Sequence, residues 1–310
     1  MVEISVIIPV YYEQDCIQTC IDKVSSELER HFTHYEIIFI DDGSEDSTSK
    51  IINENIKVRD HIRLIELSYN HGKQGAISAG IYSTKGEYIL MMDPDLQDPE
   101  TDIVKMYNRI IKEQVDVVYG VRDEKEDSKL NKLFSHTFWN FLRRWTGLNI
   151  PEGLAVIRIF NRNFANQFMK YKEQNRFLEG IFFDIGMKQA FFEVNHQARK
   201  EGNTKYTFKK KVNLALDAIL DFSELPLIIL IKLGFWMTFI GFVSLVTIIF
   251  IKLLLVDFQQ GWLSVISAVT IGAGVNLSAI GVIGAYVGRI YKETKSRPLF
   301  SVKHRENFND

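Results

Sequence analysis

Residues 91–100 read MMDPDLQDPE and place four carboxylates, Asp93, Asp95, Asp98 and Glu100, within eight positions. They follow the apolar run YILMM. Carboxylates crowded at the end of a buried strand repel one another unless a positive group joins them. Asp93 and Asp95, two residues apart just past a strand, can hold one hard divalent cation. Mg²⁺ takes one or two protein carboxylates and fills its shell with phosphate oxygens and water. The spacing therefore points to a diphosphate substrate, although D-x-D alone also describes a solvated turn. Asp98 and Glu100 flank Pro99, which suits the first turn of a helix. The positive end of that helix would favour both acids without any catalytic role.

The elements that must position these acids can be read from the chain. ISVIIPV (4–10), YEIIFIDDGS (35–44), IRLIEL (62–67), EYILMMD (87–93) and VDVVYG (115–120) read as five strands. Helical patterns separate them, with Ser44 or Asp46 available to cap the second helix. Continuous apolar strands alternating with helices imply a parallel sheet covered on both faces. In such sheets ligands bind outside the carboxyl ends of the strands, where Asp41, Asp42, Asn70, Asp93, Asp95 and Arg122 gather. No G-x-G-x-x-G follows the first strand and no G-x-x-x-x-G-K-[ST] occurs. The ordinary dinucleotide site and the P-loop are thus unsupported.

The 310 residues carry a formal net charge of -2, which gives nucleic-acid binding no support. Cys16 and Cys20, spaced C-x3-C, lack the further Cys or His of a zinc site and read as reduced thiols on a helix. The opening MVEISVIIPVYY has no basic region before its apolar run and reads as a strand rather than a signal peptide. No charged residue occurs over Leu233 to Ile251, 19 positions, or over Phe258 to Gly288, 31 positions. A bilayer needs about 20 apolar residues, so the pattern predicts a two-helix hairpin at about 233–254 and 262–288. The second segment is rich in Gly, Ala and Ser, which allow membrane helices to approach closely. Lys209, Lys210, Lys211 and Lys232 precede the pair, and Arg289, Lys292, Lys295, Arg297, Lys303 and Arg305 follow it. The connection holds only Lys252 and Asp257. This asymmetry predicts a cytoplasmic N-terminal domain and cytoplasmic termini. The expected organisation is a catalytic domain over 1–208, an amphipathic juxtamembrane helix over 209–231, the hairpin over 232–290 and a cytosolic tail over 291–310. The stretch 129–145 mixes aromatic and basic residues and suits either a membrane interface or an ordinary helix covering the sheet.

The blocks IPVYYE (8–13), IFIDDGSEDST (38–48), LSYNHGKQGAISAG (67–80), YILMMDPDLQDPE (88–100) and VVYGVR (117–122) occur in this order. Together they resemble the family-2 glycosyltransferases with the GT-A fold. The resemblance is strongest to the polyprenyl-phosphate branch, whose R-x-x-G-x-S-K-Y-S block is matched by RKEGNTKYT (199–207). It implies a Rossmann-like, mostly parallel α/β sheet with interfacial helices and a C-terminal transmembrane hairpin. Pro9, Val10, Glu13, Asp42, Lys73 and Asp93 would bind the nucleotide diphosphate, Asp42 by accepting a ring N–H of the base. Asp93, Asp95 and Gln97 would form the metal and catalytic group with Mg²⁺ or Mn²⁺, together with Arg158. Arg122, Lys132, Arg199 and Lys205 would hold the acceptor phosphate.

Many relatives carry a further Asp after the interfacial helix, cast as a base; here Val156 stands in its place and Arg158 is kept. A general base is needed to deprotonate a hydroxyl, whereas a phosphate acceptor is already ionised. Some relatives that attach amino-sugars lack the Asp too, which offers sugar choice as a reason for its loss. The resemblance implies an inverting transfer from a nucleotide diphosphate sugar, taken as UDP-linked, to undecaprenyl phosphate at a bacterial inner membrane. Membrane lipids are then partners, and relatives with this hairpin can form tetramers. Two rivals are a polysaccharide synthase with a hydroxyl acceptor and a non-catalytic membrane scaffold. The Q-x-x-R-W block of the former is absent, and intact Asp42, Asp93 and Asp95 argue against the latter.

Overall fold

The computed structural model describes residues 2–122, 151, 153–174, 176–194, 225–254 and 261–308. The chain divides into one unit of Met1–Ala215 with Arg297–Asp310, and a second of Leu216–Ser296.

The first unit is organised by an eight-stranded sheet. At its centre β1 (Ile4–Val10) is buried at every position. That explains its uninterrupted apolar sequence, since both of its faces are covered. It pairs in parallel with β2 (Tyr35–Asp41) on one side and β4 (Tyr88–Met91) on the other, and β2 pairs in parallel with β3 (Ile62–Leu67). The connecting helices are α1 (Ile17–His31), α2 (Thr48–Ile56) and α3 (Gly72–Ser83), with α4 (Asp102–Glu113) after β4. Ile17, Cys20, Ile21, Val24 and Leu28 of α1 and Ile103, Met106 and Ile110 of α4 pack with Val6, Ile8, Phe39 and Leu90 in one core. Asp46 accepts the Thr48 N–H at 3.0 Å at the start of α2.

Beyond β4 the sheet becomes mixed, which the expectation of a mostly parallel sheet allows. The remaining strands are β5 (Val117–Arg122), β6 (Leu154–Asn161), β7 (Gln189–Val194) and β8 (Val302–Glu306). The order is β7-β5-β6-β4-β1-β2-β3-β8. β6 lies between β4 and β5 and runs antiparallel to both, while β7 is parallel to β5. Apolar periodicity marks a strand but neither its neighbour nor its direction, and Arg158 interrupts the apolar run that would have announced β6. Ala155, Ile157 and Ile159 face the α1–α4 core. Asn161 then caps α5 (Arg162–Phe168), accepting the Phe164 N–H at 2.8 Å, and α6 (Leu178–Asp184) follows.

The segment read from sequence as a tail carries β8, which pairs antiparallel with β3, Leu64 opposite Glu306 and Leu67 opposite Val302. Asn307 fixes its far end by donating to the carbonyls of Asp60 and Ile62 at 2.9 and 2.8 Å.

The second unit contains α7 (Leu225–Leu254) and α8 (Trp262–Thr294). α7 runs unbroken through the boundary expected at 231–232, and the rest of the juxtamembrane segment, 209–224, lies outside the described residues. α8 continues past Gly288 to Thr294. Its portion Gly272–Thr294 is long and apolar enough to cross a membrane; within α7 the apolar stretch Pro226–Gly241 is shorter. Large apolar side chains on both helices are exposed, among them Phe235, Trp236, Phe239, Leu277, Ile280 and Ile283.

Candidate active site

The carboxyl ends of β1, β2 and β4 hold the acids singled out by sequence. Asp41 and Asp42 follow one another at the end of β2 but do different things. Asp41 is consumed by its own turn: it accepts from the Ser44 N–H at 3.0 Å, from the Ser44 hydroxyl at 2.5 Å and from the Ser49 hydroxyl. Asp42 donates its N–H to the Val10 carbonyl at 3.0 Å. Its Oδ1 accepts the backbone N–H of His71 at 2.7 Å. Burial raises the Asp42 carboxyl above its ordinary range, while N–H groups of His71 and Gly72 pull it back.

The loop after β1 is tied to the same turn. The Tyr12 N–H donates to Ser44 Oγ and the Glu13 N–H to Thr48 Oγ1, both at 3.0 Å. Tyr12 sits at φ 55°, a left-handed conformation uncommon for a bulky residue. Strain of this kind persists where surrounding bonds over-determine it, and it gathers at functional sites. Val10 turns its side chain into the core, so any contact it makes with a ligand comes through its backbone. Pro9 is buried within the same strand.

The positive group that meets Asp93 is Lys73. Its ammonium lies 2.6 Å from Asp93 Oδ1 and 2.8 Å from Oδ2. Thus one short segment bonds Asp42 through the His71 backbone and Asp93 through the Lys73 side chain. Because β1 lies between β2 and β4, residues 71–73 bridge the sheet across the end of β1. Gly43 lets this segment rest on the β2 turn: its φ is +81°, and a Cβ there would stand 2.9 Å from the Tyr69 carbonyl carbon. Asp95 accepts the Gln97 N–H at 3.2 Å across a turn in which Leu96 has φ 53°.

A divalent cation fits this donor set. Asp93 already presents both oxygens to a cation, and Asp93 and Asp95 are only partly covered. Among the described residues no group of three or more His, Cys, Asp or Glu gathers. The remaining ligands would then be substrate oxygens and water, as Mg²⁺ usually requires.

Other expected residues fall elsewhere. Arg122 NH2 donates to buried Asp98 at 3.2 Å. Asp98 is therefore an ion-pair partner and not an acid on a helix start, since α4 begins only at Asp102. Glu100 lies 3.9 Å from Lys23. Arg158 is 2 % exposed, with its guanidinium carbon 4.9 Å from the Phe182 ring centre and 5.9 Å from that of Tyr119. It donates to the carbonyls of Val156 and Ala155 and stands 3.8 Å from Glu179 at the start of α6. No hydrogen bond or ion pair among the described residues joins it to Asp93 or Asp95. Lys132, Arg199 and Lys205, with the stretch 129–145 and the block 199–207, lie outside the described residues. Cys16 and Cys20 are free. Burial and the neighbouring Glu13 push the Cys16 thiol up to about 12.

Residues 5–192 match the glycosyl transferase family 2 domain. The chain belongs to glycosyltransferase family 2. It is 33% identical over 303 residues to the uncharacterized glycosyltransferase YkcC of Bacillus subtilis, covering 97% of this chain and 94% of that one. It is 29% identical over 307 residues to the undecaprenyl-phosphate 4-deoxy-4-formamido-L-arabinose transferase of Yersinia pestis, covering 97% and 93%. Among solved structures it is similar to glucosyl-3-phosphoglycerate synthase of Mycobacterium tuberculosis, in complex with Mn²⁺, UDP and glucosyl-3-phosphoglycerate. The TM-score there is 0.48 at 16% identity, over 70% of this chain and 77% of that one.

Sequence reading missed the part His71 plays in this glycosyltransferase. The residue stands inside a block recognised for its pattern, yet it acts through its main-chain N–H, which leaves no signature in residue type. The Glu179 neighbour of Arg158 was missed for a plainer reason: the two are brought together only by the packing of α6 on β6.

Proposed function

We propose that this glycosyltransferase moves a sugar from a nucleotide diphosphate sugar, taken as a UDP-sugar, onto undecaprenyl phosphate at the cytoplasmic face of a bacterial inner membrane. The observation that carries the donor half is the bridge of residues 71–73 between Asp42 and Asp93. A carboxylate only accepts hydrogen bonds and has two oxygens. The His71 N–H fixes the Asp42 carboxylate in place, and its two oxygens offer more acceptor sites than these main-chain groups use, so it can also receive a base N–H. The diphosphate would lie toward Asp93 and Asp95, beside Lys73, with Pro9, Val10 and Glu13 bordering the nucleotide. Asp93 and Asp95, with Gln97 beside them, would hold Mg²⁺ or Mn²⁺. When bound, the ion supplies charge stabilisation for the departing diphosphate.

An acceptor phosphate oxygen forms the new bond to the anomeric carbon while the bond to the donor diphosphate breaks. The electron pair leaves with the nucleoside diphosphate, and the anomeric centre inverts. No proton has to be removed from the acceptor, so Val156 in place of an acid does not stop the reaction. Arg122, Lys132, Arg199 and Lys205 are assigned to the acceptor phosphate. Arg158, sealed beneath Phe182 and Tyr119, is a positioning residue in this reading.

Three observations support the membrane half. The relative from Yersinia pestis is named for an undecaprenyl-phosphate acceptor. The exposed apolar side chains of α7 and α8 need an apolar cover, and α7, at 30 residues, would extend about 45 Å, beyond the ~30 Å of a bilayer core. Finally, β7 and β8 flank these helices in sequence yet belong to one sheet. A sheet cannot straddle a bilayer, so the chain between them must cross an even number of times, which favours two spans and one cytoplasmic unit. Glycines 272, 274, 281, 284 and 288 face open space, leaving room for close helix association in a homo-oligomer such as a tetramer.

The test is sugar transfer by the full-length protein in detergent with Mg²⁺ or Mn²⁺, undecaprenyl phosphate and a panel of labelled nucleotide sugars. Label should enter the organic phase with undecaprenyl phosphate and not with undecaprenol. Label that appears only in water-soluble glycan would overturn the acceptor assignment.

A further inference from the structure

The segment that follows α8 does more than add an edge strand. Before β8 begins, it runs along the bridge between Asp42 and Asp93. The Ser301 carbonyl accepts the Ser68 N–H at 2.9 Å. The Ser301 N–H donates to Nε2 of His71 at 3.2 Å. Gly75 lies against both neighbours: a Cβ there would meet His71 Cβ at 2.8 Å and the Leu299 carbonyl oxygen at 3.7 Å. Phe300 packs edge-on to Tyr82 with ring centres 5.9 Å apart, and the Arg297 carbonyl accepts from Gln174 at 2.5 Å.

The loop 68–72 is thus held from two sides, by the Gly43 turn on one and by residues 299–301 on the other. Its one side chain engaged by the strap is His71, whose own N–H holds Asp42. The ring is further fixed by stacking on Tyr69, with centroids 4.0 Å apart. We propose that residues 297–308 are a positioning element of the donor site. In it Ser301 and His71 act as positioning residues that set Asp42 and Lys73 for the nucleotide diphosphate. The inference rests on the donor reading given above. An acceptor nitrogen at Nε2 requires the neutral ring with its proton on Nδ1, so the strap also fixes the tautomer.

The experiment measures UDP and GDP binding with Mn²⁺ by calorimetry, using the full-length protein in detergent. His71→Phe keeps a flat ring for Tyr69 but removes the acceptor; Ser301→Pro removes the donor; His71→Gln returns an acceptor at similar reach. Loss of the bond is expected to weaken binding about five- to tenfold, the scale of one net hydrogen bond. His71→Gln should recover most of the affinity, which a variant that had merely lost its fold would not do. Ser301→Pro should add nothing in the His71→Phe background, because the two changes break the same link. Equal affinity in all variants, or full additivity of the two, overturns the proposal while leaving the donor reading intact. An unmodified protein that binds neither nucleotide overturns the donor reading, and this inference falls with it.

Discussion

In the parallel part of the sheet, β4-β1-β2-β3, acids at the strand ends meet donors one by one. Asp41 takes hydroxyl and amide groups of its own turn, Asp42 takes a main-chain N–H, and Asp93 takes an ammonium. In the mixed part, β5-β6-β7, the buried charge is a cation held largely by rings. Arg158 lies against Phe182 and Tyr119, which pack with Phe160, Phe164 and Phe183. The first arrangement fixes negative oxygens at set points, as the proposed binding of a base and a metal diphosphate would demand. The second makes a packed wall in which position comes from side-chain volume. A transferase needs both, and they are separable enough to be tested apart.

The largest effect is expected at Asp95→Ala. If Asp95 holds the metal as proposed, its loss should lower sugar transfer by about 10²-fold or more, since a bound metal supplies several kcal/mol of charge stabilisation. Mn²⁺-dependent UDP binding should fall with it, and turnover within tenfold of normal would break the donor-side half of the comparison. Next, Arg158→Met probes the wall. The change removes one member of the Arg158–Glu179 pair and the donor to the Val156 and Ala155 carbonyls, so the unfolding free energy should fall by about 3 kcal/mol. UDP affinity should stay unchanged while turnover drops. A parallel loss of UDP affinity would show that the two parts are coupled.

A third test sharpens the role of Asp42. Its carboxyl is raised by burial, and only the ionised form can accept without also carrying a proton. Affinity for a UDP-sugar should therefore fall as pH falls, beginning above the ordinary aspartate range. The donor's diphosphate diester does not titrate there, so the effect belongs to the protein. Asp42→Asn should bind weakly at all pH values with that slope removed. The smallest effect is at the thiols. With Cys16 pushed up to about 12 and Cys20 also raised by burial, alkylation of the native protein at neutral pH should be slow. Labelling should appear only on unfolding, as a mass shift.

These contrasts also decide what could be read in advance. β1, β2 and β3 are legible because each is a short apolar run buried by helices. Asp42, Asp93 and Asp95 are legible because a carboxylate just past such a run needs a reason. β6 is veiled by Arg158, whose charge is met by the Val156 and Ala155 carbonyls, by Glu179 and by the enclosing rings. β8 hides more completely: Val302–Glu306 reads VKHRE, its middle residues are exposed, and its place comes from main-chain pairing with β3. The Ser301–His71 bond spans 230 positions, and no local pattern marks a contact of that kind. The pairing of Lys73 with Asp93 falls between, since a cation near the acids is foreseeable and its partner is not.

β8 has a consequence for how the protein is made. β3 is synthesised early, yet the strand that covers its edge emerges only after α7 and α8. Until then that edge offers unpaired backbone groups, a template for wrong partners. Closing so long a loop is slow compared with local pairing, and the two apolar helices must first find their own surroundings. Completion of the sheet is thereby placed downstream of the synthesis of α7 and α8. In the function proposed above, a chain stalled before them would lack the strand and strap that border its donor site.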